Sequence, residues 1–202
     1  MINKGLLLII SGPAGVGKGT IVNYLVEGES NYFKSVSATS RKPRYMEREG
    51  EDYYFVTRAE FMRRVKRGEM LEYTEYNGNY YGMPLPPMKA HFEAGENVVL
   101  EIETDGAFQV KSKMPEAVLI FICPPSYEQL EARLRGRNTE TEEAIIRRLS
   151  TARHELSLMP KYDYIIVNED GKSDLSAQYV REIVRAEQLS SKRGIPHIIL
   201  PE

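Results

Sequence analysis

A glycine-rich segment near the amino terminus carries the residues best suited to chemistry in this 202-residue chain. Gly12, Gly17 and Lys18 have the spacing of a G-x-x-x-x-G-K phosphate-binding loop, directly after the apolar residues 6–10. In such a loop backbone N–H groups close around phosphate oxygens, and the lysine adds charge at the β- and γ-phosphates. The spacing predicts a nucleoside triphosphate site, formed by Gly12, Pro13, Ala14, Gly15, Val16, Gly17, Lys18, Gly19 and Thr20.

The loop departs from the strict pattern directly after its lysine. The pattern places Ser or Thr there, where the hydroxyl reaches Mg²⁺, but this chain has Gly19. Either Thr20 supplies the hydroxyl, or water takes that place at the metal. The histidines at positions 91, 154 and 197 lack the spacing of metal ligands, so we expect no metal site built by the protein alone.

Two groups of arginines could bind further phosphate. Arg41 and Arg44 share a segment interrupted by proline, and guanidinium groups bind phosphate oxygens in pairs. Arg133 and Arg137 are spaced i, i+4 and share one helix face if the helix continues through Gly136. Alone, such groups are more typical of a solvated surface. Next to a phosphate-binding loop they favour a phosphoryl-transfer site.

The elements that must position these residues alternate between buried strands and helices. Apolar strand candidates lie at residues 6–10, 98–102, 118–123 and 164–167, and helical stretches at 21–27, 108–113, 127–134 and 173–189. This alternation predicts an α/β fold with a parallel sheet covered by helices on both faces. Ligands of such sheets bind outside the carboxyl ends of the strands.

Two inserted segments differ in character from this alternation. Residues 34–96 contain seven of the 13 tyrosines, a capping box at 57–60 that opens a helix to about Lys66, and the hairpin signal Asn77-Gly78. They predict an α+β lobe. Residues 126–155 are helical and charged, with a cap at Ser126 and an interruption at 138–142 that could act as a hinge.

Composition limits the class of protein. The 27 basic and 29 acidic residues give a net charge of −2, which disfavours a nucleic-acid binder. The chain contains no run of about 18 apolar residues, so no membrane span is predicted. The apolar run near the amino terminus is too short for a secretory signal. The single cysteine, Cys123, cannot form an internal disulfide. We expect a cytoplasmic protein.

Several separated motifs together resemble the guanylate kinase family. They are residues 11–20, 35–44, 50–55, 78–82, 100–103 and 137–142. The resemblance extends to about Leu189. It implies transfer of the γ-phosphate of ATP to GMP, and also to dGMP, with Mg²⁺ accompanying ATP. It also implies a five-stranded P-loop core (1–33, 97–125 and 156–202), a GMP-binding lobe (34–96) and a lid (126–155).

The resemblance assigns roles to individual residues. It places the GMP phosphate on Arg41, Arg44, Tyr53 and Tyr81, and the guanine base on Ser37, Glu72 and Glu103. It gives Lys18, Arg41, Arg133, Arg137 and Arg148 to the transfer step, and sets Asn168 beside the adenine of ATP. Glu101 or Glu103 is an alternative residue for ordering water on Mg²⁺.

Some positions depart from the family pattern, and alternatives stay open. The resemblance implies a hydroxyl residue in contact with guanine where Met83 stands, and Gln where Asp105 stands. Ala14 replaces a common Ser in the loop, where the backbone carries the binding. One alternative is another small-molecule kinase of this fold, which Glu72 and Tyr81 disfavour. The other is a non-catalytic binding module, which the intact loop disfavours. Oligomeric state is left open.

Overall fold

The computed structural model describes residues 5–27, 31–76, 78–136 and 141–193. The strands in chain order are β1 (Leu7–Ser11), β2 (Tyr32–Lys34), β3 (Ala38–Thr39), β4 (Tyr54–Phe55), β5 (Met70–Tyr76), β6 (Asn79–Pro84), β7 (Asn97–Glu101), β8 (Val118–Cys123) and β9 (Tyr164–Val167). The helices are α1 (Lys18–Val26), α2 (Arg58–Lys66), α3 (Leu85–Glu93), α4 (Thr104–Lys113), α5 (Tyr127–Arg135), α6 (Glu142–Ser157) and α7 (Ser173–Gln188). Short 3₁₀ turns cover Met159–Lys161 and Ser191–Arg193.

Five parallel strands form the core sheet in the order β2-β7-β1-β8-β9. Successive side chains of the central strand β1 point to opposite faces. Leu8 and Ile10 pack into one apolar cluster with α1 and α7, while Leu7 and Ile9 pack into another with α3 and α4. Because both faces are covered, every residue of β1 is buried. The predicted α/β fold with a five-stranded parallel sheet is confirmed.

A second sheet of four strands, in the order β4-β3-β6-β5, lies within the segment predicted as an α+β lobe. Strands β5 and β6 form an antiparallel hairpin, as the Asn-Gly signal predicts, although Asn77 itself lies outside the described residues. Helix α2 begins where the capping box places it, since the Thr57 hydroxyl accepts a hydrogen bond from the Glu60 amide at 3.1 Å. Phe61 of α2 packs against Tyr73 and Tyr80 of the hairpin.

Four elements were not expected from the sequence, the short strands β2, β3 and β4 and the helix α3. Strand β2 is three residues long and only half-buried, so it shows no apolar run. Helix α3 begins Leu85-Pro86-Pro87, and prolines in a first helical turn look from sequence like a loop. Its Met88 packs on the core sheet beside Leu7. None of the helices in the described ranges has the length and apolar character needed to span a membrane.

Candidate functional site

The predicted phosphate-binding loop joins the carboxyl end of β1 to α1. Three of its glycines have backbone conformations that other residues rarely adopt, with φ of 143° at Gly12, 90° at Gly15 and 97° at Gly17. A Cβ atom at Gly17 would also lie 2.6 Å from Nδ2 of Asn168. The loop can therefore close tightly only with glycine at these positions.

Lys18 opens α1 and turns back over the loop. Its ammonium donates hydrogen bonds to the carbonyl oxygens of Gly12 at 2.5 Å and Pro13 at 3.1 Å. Ala14 and Thr20 are exposed on either side of it. The cation and the positive end of α1 therefore meet at one point, which suits a bound polyphosphate.

Asn168 and Arg133, which are both predicted to contact ATP, donate hydrogen bonds to this loop. Asn168 follows β9, is 3% exposed, and donates from Nδ2 to the Val16 carbonyl at 2.8 Å. Its Oδ1 accepts from the Ser176 hydroxyl at 2.9 Å. Arg133 of α5 donates to the Asn168 carbonyl at 2.8 Å and to Asp170 at 2.7 Å. These contacts hold the loop; an adenine contact by Asn168 stays a prediction.

The arginines predicted for the lid occupy different places. Helix α5 ends at Arg135 with Gly136 as its C-cap, so it does not continue through Gly136 as a shared face for Arg133 and Arg137 would require. Arg137 lies outside the described residues, as does most of the predicted hinge. Arg148 on α6 lines a cavity beside the loop.

A cavity of about 300 Å³ lies beside the loop, between the two sheets and α4. It is lined by Ser37, Arg44, Tyr53, Glu72, Thr74, Tyr76, Tyr81, Gly82, Glu101, Ile102, Glu103, Asp105, Gly106 and Arg148. All the residues predicted to bind the acceptor, Arg41 excepted, are in this set. The structure thus brings together side chains that lie up to 111 positions apart, from Ser37 to Arg148.

Strand register explains how the lobe contributes to this cavity. Thr74 of β5 faces Tyr81 of β6 across the hairpin, and Glu72 faces Met83. Side chains at alternate positions of a strand share a face, so Glu72 and Thr74 both point to the cavity. The ring of Tyr81 stands edge-on to that of Tyr53, with centroids 6.0 Å apart. Two phenols therefore meet at one end of the cavity.

Arg41 is held at this phenol end by groups of its own lobe. Its guanidinium donates to both carboxylate oxygens of Glu47 at 2.9 Å, and its Nε donates to the Tyr81 hydroxyl at 3.2 Å. The hydrogen bonds that Arg41 donates to Glu47 raise the pKa of Arg41 and lower the pKa of Glu47. Sequence reasoning missed Glu47, because nothing local marks it as a partner of Arg41.

Glu72 lines the cavity two residues along β5 from Thr74, which faces Tyr81, and is 4% exposed. Burial raises its pKa to about 7, while a hydrogen bond with the backbone of Met83 and the charge of Lys113 act in the other direction. Gly106 leaves room for this carboxylate, since a Cβ there would lie 2.9 Å from Glu72 Oε2. A buried carboxylate of this kind is suited to accept hydrogen bonds from a ligand.

Glu155 on α6 is a second buried carboxylate, at 7% exposure, and sequence reasoning missed it. Burial raises its pKa to about 7, Lys18 lowers it, and Glu103 and Asp105 raise it. It therefore lies within electrostatic range of the loop lysine. Its spacing of seven from Arg148 places both on one helix face, which is the signal that could have revealed it.

The position after the lysine is occupied by glycine for a visible reason. A Cβ at Gly19 would lie 3.3 Å from Glu101 Oε1, so this glycine lets the carboxylate approach α1. Glu101 ends β7 and lies 3.8 Å from the Lys34 ammonium. Its carboxylate and the exposed Thr20 hydroxyl are the oxygen donors that a hard divalent cation prefers. Within the described part of the chain, no three His, Cys, Asp or Glu side chains gather as a metal-binding group.

Comparison with known proteins places this arrangement in a family context. A family model described as guanylate kinase matches residues 4–187. The chain is 47% identical to the guanylate kinase of Lactococcus lactis, covering 98% of this chain and 96% of that protein. It is 43% identical to the guanylate kinase of Halalkalibacterium halodurans, covering 95% and 93%. The crystal structure of guanylate kinase from Anaplasma phagocytophilum superposes with a TM-score of 0.76 at 36% identity, covering 95% and 90%.

Proposed function

This chain belongs to the guanylate kinase family, and from that premise we propose that it transfers the γ-phosphate of ATP to GMP, giving ADP and GDP. The observation that carries the proposal is the cavity beside the phosphate-binding loop. It brings a buried carboxylate, Glu72, together with phenol and guanidinium groups. A guanine nucleotide carries N–H donors on its base and acceptor oxygens on its phosphate, so it matches this combination.

The phosphate of GMP is assigned to Arg41, Arg44, Tyr53 and Tyr81. A guanidinium donates to phosphate oxygens in pairs, and each phenol donates one further hydrogen bond. Arg41 is already oriented by Glu47 and Tyr81, so a phosphate would meet a guanidinium that is fixed in place. Pre-orientation lowers the entropic cost of binding.

The guanine base is assigned to Glu72, with Ser37 and Glu103 at its edges. Guanine presents N1–H and N2–H₂ side by side, and a carboxylate accepts from both. Adenine has no such donor pair, so AMP would leave the Glu72 carboxylate desolvated and unpaired, which is costly. Selection of GMP over AMP follows from this asymmetry.

ATP is assigned to the loop from Gly12 to Thr20, with Lys18 moving from the loop carbonyls to the β- and γ-phosphates. Arg148, which lines the acceptor cavity, and the lid arginines Arg133 and Arg137 would neutralise charge that develops during transfer. Closing the lid over both substrates would exclude water, so that the γ-phosphate passes to GMP rather than to water.

We assign Mg²⁺ as the divalent metal that accompanies ATP. The residues present fit it, since Thr20 and Glu101 offer oxygen donors beside the loop, directly or through water. When bound, the metal would supply positive charge that offsets the charge of the phosphates. Everything else in the transfer step is positioning by Lys18 and the arginines.

A steady-state assay with ATP and each of GMP, dGMP, AMP, UMP and CMP tests this proposal. We expect turnover with GMP, slower turnover with dGMP, and little with the other three. Glu75→Gln, an exposed position on the same strand paired with Arg58, is the control variant and should behave as the wild type. Turnover of AMP at a rate comparable to that of GMP would overturn the assignment of the base site.

A further inference from the structure

The cavity assigned to GMP is rich in groups that only accept hydrogen bonds. The carboxylates of Glu72, Glu101, Glu103 and Asp105 all line it. They suit the N1–H and N2–H₂ donors of guanine, but guanine also carries two acceptors, O6 and N7. An acceptor buried without a donor is costly, so O6 and N7 together need two donors beside Glu72, and the Ser37 hydroxyl can supply only one of them.

Met83 cannot be the other donor, although it faces Glu72 across the hairpin. Its side chain is fully buried and packs with Leu7 and Ile9 of the core sheet. Its sulfur accepts a hydrogen bond from the Ser35 hydroxyl at 2.7 Å. Position 83 therefore forms apolar support beneath the base end and brings no hydroxyl to it.

Thr74, in contrast, is placed to bring a hydroxyl to the base. It lies two residues beyond Glu72 on β5, half-buried and among the residues lining the cavity. Two residues of an antiparallel strand span about 7 Å, and both side chains lie on one face. On the edge of guanine, O6 follows N1 on the side away from N2. A carboxylate that accepts from N1 and N2 therefore leaves O6 toward a neighbouring group along the strand.

We propose that Thr74 is a base-recognition residue whose hydroxyl donates to O6 of guanine while Glu72 accepts from N1–H and N2–H₂. This inference rests on the proposed function and names the group that reads the acceptor side of the base. Glu103, an acceptor at the N-cap of α4 that also lines the cavity, would then serve the remaining N2 proton. Glu72 and Thr74 together then present an acceptor and a donor in the order that guanine requires.

The test compares Thr74→Val, which removes the hydroxyl and keeps the shape, with Thr74→Ser, which keeps the hydroxyl. For Thr74→Val we expect kcat/KM for GMP to fall about 10- to 30-fold, with the KM for ATP unchanged, because O6 loses its donor. Thr74→Ser should stay within about threefold of wild type. The melting temperature of both variants is measured to show that they fold like the wild type.

Two GMP analogues separate recognition of O6 from a general loss of packing. In 6-thio-GMP the acceptor at position 6 is sulfur, a weak acceptor, whereas IMP keeps O6 and lacks the 2-amino group. Thr74→Val should lessen the preference for GMP over 6-thio-GMP and leave the preference for GMP over IMP unchanged. A structural role alone would move neither ratio.

The outcomes are distinguishable. If wild type phosphorylates GMP but Thr74→Val keeps its full kcat/KM, or loses it with the preference over 6-thio-GMP intact, the assignment of Thr74 is wrong and the proposed function stands. If wild type does not phosphorylate GMP, the proposed function fails and this inference fails with it.

Discussion

The phosphate-binding loop and the acceptor cavity are neighbours built on opposite plans. The loop is nine consecutive residues, and its shape comes from backbone geometry at Gly12 and Gly17. The cavity draws its side chains, both acidic and basic, from five separate elements and their connections. The comparison teaches that handling of the triphosphate is a local property of the chain. Choice of acceptor instead depends on how distant strands are aligned.

The two regions also treat charge differently. The loop presents a cation, Lys18, that donates hydrogen bonds to carbonyl oxygens. We propose that phosphate oxygens replace those carbonyls when ATP binds. The cavity holds Glu72 as a buried carboxylate. We propose that it accepts hydrogen bonds from the base. Glu155 lies within electrostatic range of Lys18 and of the cavity residues Glu103 and Asp105, so it couples the two regions.

Removing the loop cation tests the local side of the comparison and has the largest expected effect. We expect Lys18→Ala to lower kcat by about 10³-fold, because charge developing on the phosphates loses its nearest positive partner. The measurement is steady-state turnover at saturating GMP, with ATP binding measured separately by calorimetry. Lys89→Ala, at an exposed lysine near Glu93, is the matched control. A Lys18→Ala enzyme with more than about a tenth of wild-type kcat would contradict this role.

Changing one atom of Glu72 tests the long-range side. Glu72→Gln replaces an acceptor by a donor facing guanine N–H groups, so we expect kcat/KM for GMP to fall about 10²-fold. Turnover of AMP, measured in the same assay, should stay as low as in wild type or rise. The preference for GMP over AMP would then collapse while ATP binding is retained. An unchanged preference would mean that the base is read elsewhere.

The raised pKa of Glu72 gives that same residue a pH signature. Only the ionised carboxylate accepts from both donors, so kcat/KM for GMP should rise with pH through about 7 in wild type. The step should be absent in Glu72→Gln, whereas ionisation of the GMP phosphate near pH 6 remains in both. Because the folded pKa lies above the usual 4.5, the group's contribution to the free energy of unfolding is greatest below pH 4.5. It is lost as pH rises through about 7. Identical pH profiles in the two proteins would contradict the assignment.

The features that the sequence predicted are local ones, like the loop, and the features that it missed depend on tertiary contacts, like the cavity. The loop, the parallel sheet and the capped start of α2 follow from local spacing, and each is present as expected. Helix α3 was missed because Pro86 and Pro87 hide a helix that is stabilised by packing of Met88 on the core. The Arg41–Glu47 pair was missed because partners depend on tertiary contacts that no local pattern shows. Glu155 was missed because its spacing from Arg148 shows a shared helix face but not that the face is buried.

The residues assigned to GMP binding show what sequence motifs can and cannot predict about this site. The resemblance named Ser37, Glu72 and Tyr81 one by one, and register now gives a physical reason for two of them to share a cavity. Thr74 could not be found in this way, since its place depends on the same register and on the burial of Met83. Individual motifs therefore locate the site, but only packing decides which side chains fill it.

The smallest expected effect returns to the loop and is the sharpest check on its backbone character. Ala14 is exposed at the turn, where we expect phosphate to be held by N–H groups rather than side chains. Ala14→Ser should therefore leave kcat and the KM for ATP within about twofold of wild type. Thr74→Ser is the matched conservative change in the cavity, and steady-state kinetics on both variants checks the pair. A loss of about tenfold or more in Ala14→Ser would show that side chains contribute to the loop as they do to the cavity, and the contrast between the two regions would fail.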